Sequence, residues 1–302
     1  MRTNKILMLG FLALGLAGCA MGGLESASGT AREEGDAVRV STTIARLDSR
    51  LAYEEGTGNT TFTSGDKIQV ENTLRATENK ALYTLNGSCW ETDDPFVWSG
   101  LTNNLFKAWY PATDGTSFDT FTLPADQGTE ELLAAADWMT ASTGELARPA
   151  DNTLSLDFQH QLAKVTVKIH WAAEYEGTPK SVEDAKIYTR ATAISRNSAE
   201  GVVGINGASL TAIDPLEANE SYTAIVAPVE YEADDTFMTL TVNGRQLTVI
   251  ANTGTLTGGL QPGKHYGFDL KVGRDKITVE HVSMGDFDSP FGSGWGTETD
   301  LQ

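Results

Sequence analysis

Met238-Thr239-Leu240-Thr241-Val242-Asn243-Gly244-Arg245-Gln246-Leu247-Thr248-Val249 is the stretch that decides the fold. Apolar and polar residues alternate on both sides of one Asn-Gly pair. Period-2 alternation puts one face of an extended chain in a core and the other in water. Asn-Gly tolerates positive φ at both central positions, as a two-residue turn matched to strand twist requires. The stretch therefore predicts a β-hairpin. Working outward, Pro262-Gly263 precedes Tyr266, Phe268, Leu270 and Val272, a second alternating strand, and Gly273-Arg274-Asp275 turns it into Ile277 and Val279. Asn86-Gly87, between Tyr83-Thr84-Leu85 and Cys89-Trp90, and Asn206-Gly207 are two further hairpin candidates. Turn residues recur roughly every 8 to 12 positions, which suits a β-sandwich. Helix is confined to one short candidate, Thr129 to Met139.

One alternation changes phase. Leu154, Leu156 and Phe158 occupy even positions, whereas Val165, Val167, Ile169 and Trp171 occupy odd ones. A strand cannot swap faces without an inserted residue, so a bulge or break is expected between His160 and Ala163.

The N-terminus begins with Arg2 and Lys5, continues through an apolar run from Ile6 to Ala17, and reaches Gly18-Cys19. A positive start, a short apolar run and small residues make a secretory signal peptide, too short to span a bilayer. Cysteine directly after small residues resembles the bacterial lipobox, which implies acylation of Cys19 and a mature chain that begins there. Residues 1–18 are thus expected to be a signal peptide. Residues 19–36, rich in Gly, Ser, Ala and Glu, read as a flexible tether. Little apolar content between Thr143 and Asn152, with Gly144, Pro149 and Asp151, places a domain boundary there, giving domains 37–150 and 151–302. A boundary near Glu174 to Lys180 is the alternative.

The net charge of −19 repels phosphate, so no nucleic-acid partner is expected. Acylation of Cys19 leaves Cys89 with no intrachain partner, so stability must come from cores. His160, His170, His265 and His281 have no zinc-like spacing, and there is no nucleophile elbow, Walker loop or dinucleotide fingerprint. No catalytic residue, metal or cofactor is expected. Asp93-Asp94, Asp234-Asp235 and Asp286/Asp288 are acidic pairs that could take a hard cation, with solvated loops as the plainer reading. Trp90, Trp98, Trp109 and Tyr110 are either core or, if exposed, a sugar-stacking platform.

Several segments also carry a family resemblance. Thr63-Ser64-Gly65-Asp66-Lys67-Ile68-Gln69-Val70, with Phe62 or Thr63 where tryptophan is usual, resembles the W-x-x-G-D-x-I-x-V segment of Bacteroidales fimbrillin-like (Mfa-like) lipoproteins. Trp109-Tyr110-Pro111, Asp137-Trp138-Met139, the run Leu156 to Val165, and Leu260 to Tyr266 resemble further family segments in the right order. The resemblance implies an all-β chain of two transthyretin-like β-sandwich domains in tandem. It implies a structural or adhesive type V pilus subunit, not an enzyme, lipid-anchored at the outer membrane and later part of a cell-surface fimbrium. In such pilins an arginine-specific protease removes an N-terminal strand, and a donor strand from another subunit fills the groove. Val38, Val40, Thr42 and Ile44 alternate as a removable strand would, and Arg50, with Arg46 as runner-up, follows as the processing site. The partners implied are other pilus subunits and a host or bacterial surface ligand. Gly285 to Gln302 departs from the pattern: it is Gly- and Asp-rich, Trp295 stands almost alone, and no strong donor strand is legible. Anchor, tip and minor-subunit positions stay open. A non-polymerising surface lipoprotein that binds glycan or host ligand is the alternative.

Overall fold

The computed structural model describes residues 37–44, 61–75, 79–94, 97–98, 103–197, 201–204 (backbone only), 209–251, 256 and 258–288. Cys19, Arg46, Arg50, Asn206-Gly207 and Trp295 lie outside these residues. In chain order the strands are β1 (Arg39–Ile44), β2 (Lys67–Asn72), β3 (Lys80–Asn86), β4 (Cys89–Glu91), β5 (Phe106–Tyr110), β6 (Thr120–Thr122), β7 (Met139–Ser142), β8 (Thr153–His160) and β9 (Ala163–Trp171). They continue with β10 (Val182–Thr189), β11 (Ala193–Asn197), β12 (Gly201–Gly204), β13 (Thr211–Ile213), β14 (Leu216–Ala218), β15 (Ser221–Val226), β16 (Thr236–Val242), β17 (Arg245–Ile250), β18 (Lys264–Val272) and β19 (Ile277–Asp286). The single α-helix among the described residues, α1 (Glu130–Ala135), starts at Thr129, whose hydroxyl accepts from the Leu132 amide at 3.2 Å.

β1-β8-β7-β5-β2-β3-β4 form one sheet, antiparallel except that β1 runs parallel to β8. Its inward residues, among them Val70, Tyr83, Phe106, Leu154, Leu156 and Phe158, make a first core. The two edge strands approach one another: Trp90 Nε1 on β4 donates to Thr42 Oγ1 on β1 at 3.0 Å. The sheet thereby curls around its own core, as twist allows.

A second core lies between β13-β10-β16-β17 and β14-β15-β9-β18-β19. Here the hairpin of Met238 to Val249 is β16–β17, with Asn243 at φ 49° and Gly244 at φ 76°. Both values are positive, as the Asn-Gly reading requires. The Asn86-Gly87 expectation is corrected by one residue. Asn86 pairs with Cys89, so Gly87-Ser88 form the turn, with Gly87 at φ 60°.

The phase change between His160 and Ala163 is a break, and it does more than turn one strand over. Leu154, Leu156 and Phe158 on β8 fill the first core, and Val165, Val167 and Ile169 on β9 fill the second. The boundary drawn at 150/151 therefore falls inside one sheet, because β8 pairs with β7 and β1. The low apolar content that suggested it is only the β7–β8 loop. The cores also interlock. β6 leaves the first half to pair with β11, and Phe121, Leu123 and Trp138 are buried in the second core. Gln127 works like an extra ladder residue, donating to Ile225 O at 2.9 Å and accepting from Ile225 N at 2.7 Å. The two cores belong to one compact unit. Cys89 is half-buried on edge strand β4.

Candidate functional site

β1 and the residue before it, Val38-Arg39-Val40-Ser41-Thr42-Thr43-Ile44, are rich in β-branched side chains, which favour extended backbone. The strand lies at a sheet edge and pairs on one side only, with β8, in the register Val40↔Leu154, Thr42↔Leu156 and Ile44↔Phe158. Val38 is buried, Val40, Thr42 and Ile44 are half-buried, and Arg39, Ser41 and Thr43 face water. Four polar contacts fix its register: Arg39 N–H to Asn152 O at 2.9 Å, Tyr83 OH to Val38 O at 3.2 Å, Trp90 Nε1 to Thr42 Oγ1 at 3.0 Å, and Thr43 Oγ1 to Asp157 Oδ1 at 3.0 Å.

Burial of the three aliphatic side chains is worth roughly 4–6 kcal/mol. A domain's whole stability is on the order of 5–15 kcal/mol. A groove emptied of β1 would thus expose apolar floor and unpaired β8 backbone at a cost that is a large share of the total.

The floor at the C-terminal end of β1 is aromatic. Phe62 meets Trp90, Tyr110 and Phe158 edge-on, with ring centroids 5.2, 5.5 and 5.3 Å away. The Gly65-Asp66 pair holds this corner. Gly65, at φ 103°, makes the turn, and Asp66 accepts from Thr63 N at 2.7 Å and from Tyr110 OH at 3.2 Å. Burial, then the Asp66 carboxylate, push the Tyr110 phenol far above its ordinary range, so it stays a donor. Ile44 and Phe62 both sit at Phe158. The chain between them, which contains Arg46 and Arg50, therefore leaves and re-enters the fold at one place.

A second constellation joins the two cores. His160, at the end of β8, is 7% exposed; its Nδ1 lies 2.9 Å from Asp137 Oδ1 and its Nε2 3.7 Å from Asp288 Oδ2. Its ring stacks on Phe287 at 3.8 Å, and Lys164 Nζ lies 4.8 Å from the same Phe287 ring. Burial works against charge on the imidazole, but the Asp137 and Asp288 carboxylates outweigh it and push the pKa up to about 9. Burial pulls the Lys164 ammonium below its usual range. This is a charged clamp on the end of β19. Sequence reading placed His160 at the start of an expected break and named Asp137 and Asp288 separately. Only the fold brings the three together.

The remaining candidates resolve as structure. Trp98, Trp109 and Tyr110 are buried and Trp90 is half-buried against Phe62, so these four aromatics form core and not a sugar platform. Asp235 is held by Arg190, Asp286 by Lys264 and Asp288 by His160. Glu232, Asp234 and Asp235 converge, but Arg190 already supplies the positive charge there. Asp93 and Asp94 are exposed.

The comparisons with known proteins agree with this architecture. The fimbrillin-like family profile matches residues 52–286, and the chain belongs to that family. Among the solved structures that share the fold are two candidate cell adhesion proteins. A candidate cell adhesion protein from Bacteroides uniformis is 16% identical, with a TM-score of 0.63 over 83% of this chain and 98% of that one. One from Bacteroides ovatus is also 16% identical, with a TM-score of 0.65 over 84% and 98%. No curated protein matches the chain.

Proposed function

We propose that the chain is the precursor of a pilus subunit, in which proteolysis after Arg50, or after Arg46, removes β1 and a strand of another subunit takes its place. The observation that carries this reading is the placement of β1. It is an edge strand on an apolar floor, and the chain that follows it returns to the point it left, Phe158. A cut in residues 45–60 would therefore free β1 without severing the rest of the sheet. Family membership supports assembly with other subunits at the cell surface. Delivery is by a lipid on Cys19, tethered through residues 19–36 to the outer membrane. One acyl chain binds only marginally, so lasting attachment needs several chains on this residue. Protein extracted from membranes should carry the lipid, and Cys19→Ala should release it or leave an uncleaved precursor.

The test of processing is the double variant Arg46→Ala/Arg50→Ala. It should block both removal of β1 and incorporation into surface polymer. Unchanged cleavage and assembly would contradict the mechanism. The alternative, a stand-alone lipoprotein binding glycan through its aromatic cluster, loses its platform because Trp98 and Tyr110 belong to the first core, Trp90 packs against it and Trp109 is buried.

A further inference from the structure

We infer that the groove under β1 selects its incoming strand by a hydrogen bond as well as by apolar fit: the residue that replaces Thr42 must offer a side-chain acceptor to Trp90. This rests on the strand-replacement reading above and adds the chemistry of the partner.

The β1 strand is itself the template for what the groove accepts. Its direction is set, because β1 runs parallel to β8 and its N-terminal end is held at Asn152 O. Position 38 is closed, with Val38 only 2% exposed, so it admits a small aliphatic side chain and no ring. Positions 40 and 44 are half-open and apolar. Position 42 differs in kind. It faces inward over Leu156, yet it carries a hydroxyl that accepts from Trp90 Nε1. Indole N–H is a donor only, and Trp90 belongs to β4, at the opposite edge of the sheet. The bond therefore closes the seam across which the sheet curls. An aliphatic side chain at this position would leave the half-buried indole donor without an acceptor, a loss worth about tenfold in affinity. Outside the groove, position 43 meets Asp157 through a donated hydrogen bond, so an acidic residue there would be repelled. The partner is thus a strand reading small aliphatic, any, aliphatic, any, hydroxyl, non-acidic, aliphatic, running in parallel with β8.

The experiment uses the full chain with a site for a sequence-specific protease inserted between residues 45 and 60, so it does not depend on Arg46 or Arg50. After cutting, the native strand is exchanged in mild denaturant for a fluorescent peptide of residues 37–44, and retention is read by anisotropy. The native peptide should be retained. A Thr42→Val peptide should bind about tenfold more weakly and a Thr42→Ser peptide nearly as well as the native one. Peptides carrying Val38→Phe or the reversed sequence should fail. Trp90→Phe in the protein should erase the difference between the native peptide and the Thr42→Val peptide. Equal retention of those two peptides by the unaltered protein overturns this inference and leaves strand replacement standing. Failure of every peptide, the native one included, overturns strand replacement itself.

Discussion

His160 holds a charge in a place where burial alone would remove it. Asp137 and Asp288 keep its pKa near 9, against 6.5 for free histidine. A folded-state pKa above the unfolded one stabilises fully below the unfolded value and is lost as pH rises through the folded value. The clamp should therefore contribute about 3 kcal/mol below pH ~6.5 and lose it progressively toward pH ~9. Lys164, shifted the other way by burial, opposes this trend. The difference between wild type and His160→Gln isolates the histidine. Urea titrations should show that difference shrinking from about pH 6 to about pH 9, and a constant difference would contradict the assignment. The sequence made part of this legible. His160 follows the even-phase residues of β8, and Asp137 and His160 both fall within the family segments. Asp288 was grouped with Asp286 instead, because nothing in a linear chain shows that the end of β19 reaches the end of β8.

Elements were most legible where turn chemistry is local. Gly244 has φ 76° and open space where a Cβ would stand, so the cost of replacing it comes from the backbone. Gly244→Val should destabilise by about 1–3 kcal/mol in denaturant unfolding, and a neutral result would mean that the turn tolerates a β-branched residue at positive φ. The Asn86-Gly87 pair reads equally well in sequence, yet the register slips by one, since the Asn86↔Cys89 pairing sets the turn at Gly87-Ser88. The phase change after His160 was readable as a break. Its consequence was not, because a change of core depends on which sheet each strand joins. The β1 strand was legible from its alternation alone, whereas its parallel pairing and edge position were not. Edge placement has a measurable consequence. Once the chain is cut between residues 45 and 60 and β1 is removed, amide hydrogens of Leu154 to Phe158 should exchange faster, while those of β16 should not. Unchanged protection in β8 would mean that β1 does not cover it.

For the whole molecule, the two cores are linked by segments that cross from one half of the chain to the other. Phe121, Leu123 and Trp138 are supplied to the second core by the first half of the chain, and Gln127 stitches that segment to Ile225. Calorimetry should therefore show one cooperative transition, with calorimetric and van't Hoff enthalpies equal. Two separate transitions would show that the two cores unfold independently, as tandem domains do. Composition located a boundary where the chain is polar, but the cores are partitioned by strand exchange between halves, which leaves no compositional mark. One claim is central at this scale: the N-terminal strand is a placeholder for a strand of another subunit. The most direct measurement is the N-terminal sequence of this chain recovered from purified surface polymer. The expected start is Leu51, or Leu47 if cleavage follows Arg46, with Val38 to Ile44 absent. A polymer whose chains still carry Val38 to Ile44 at their own N-terminal ends would contradict it.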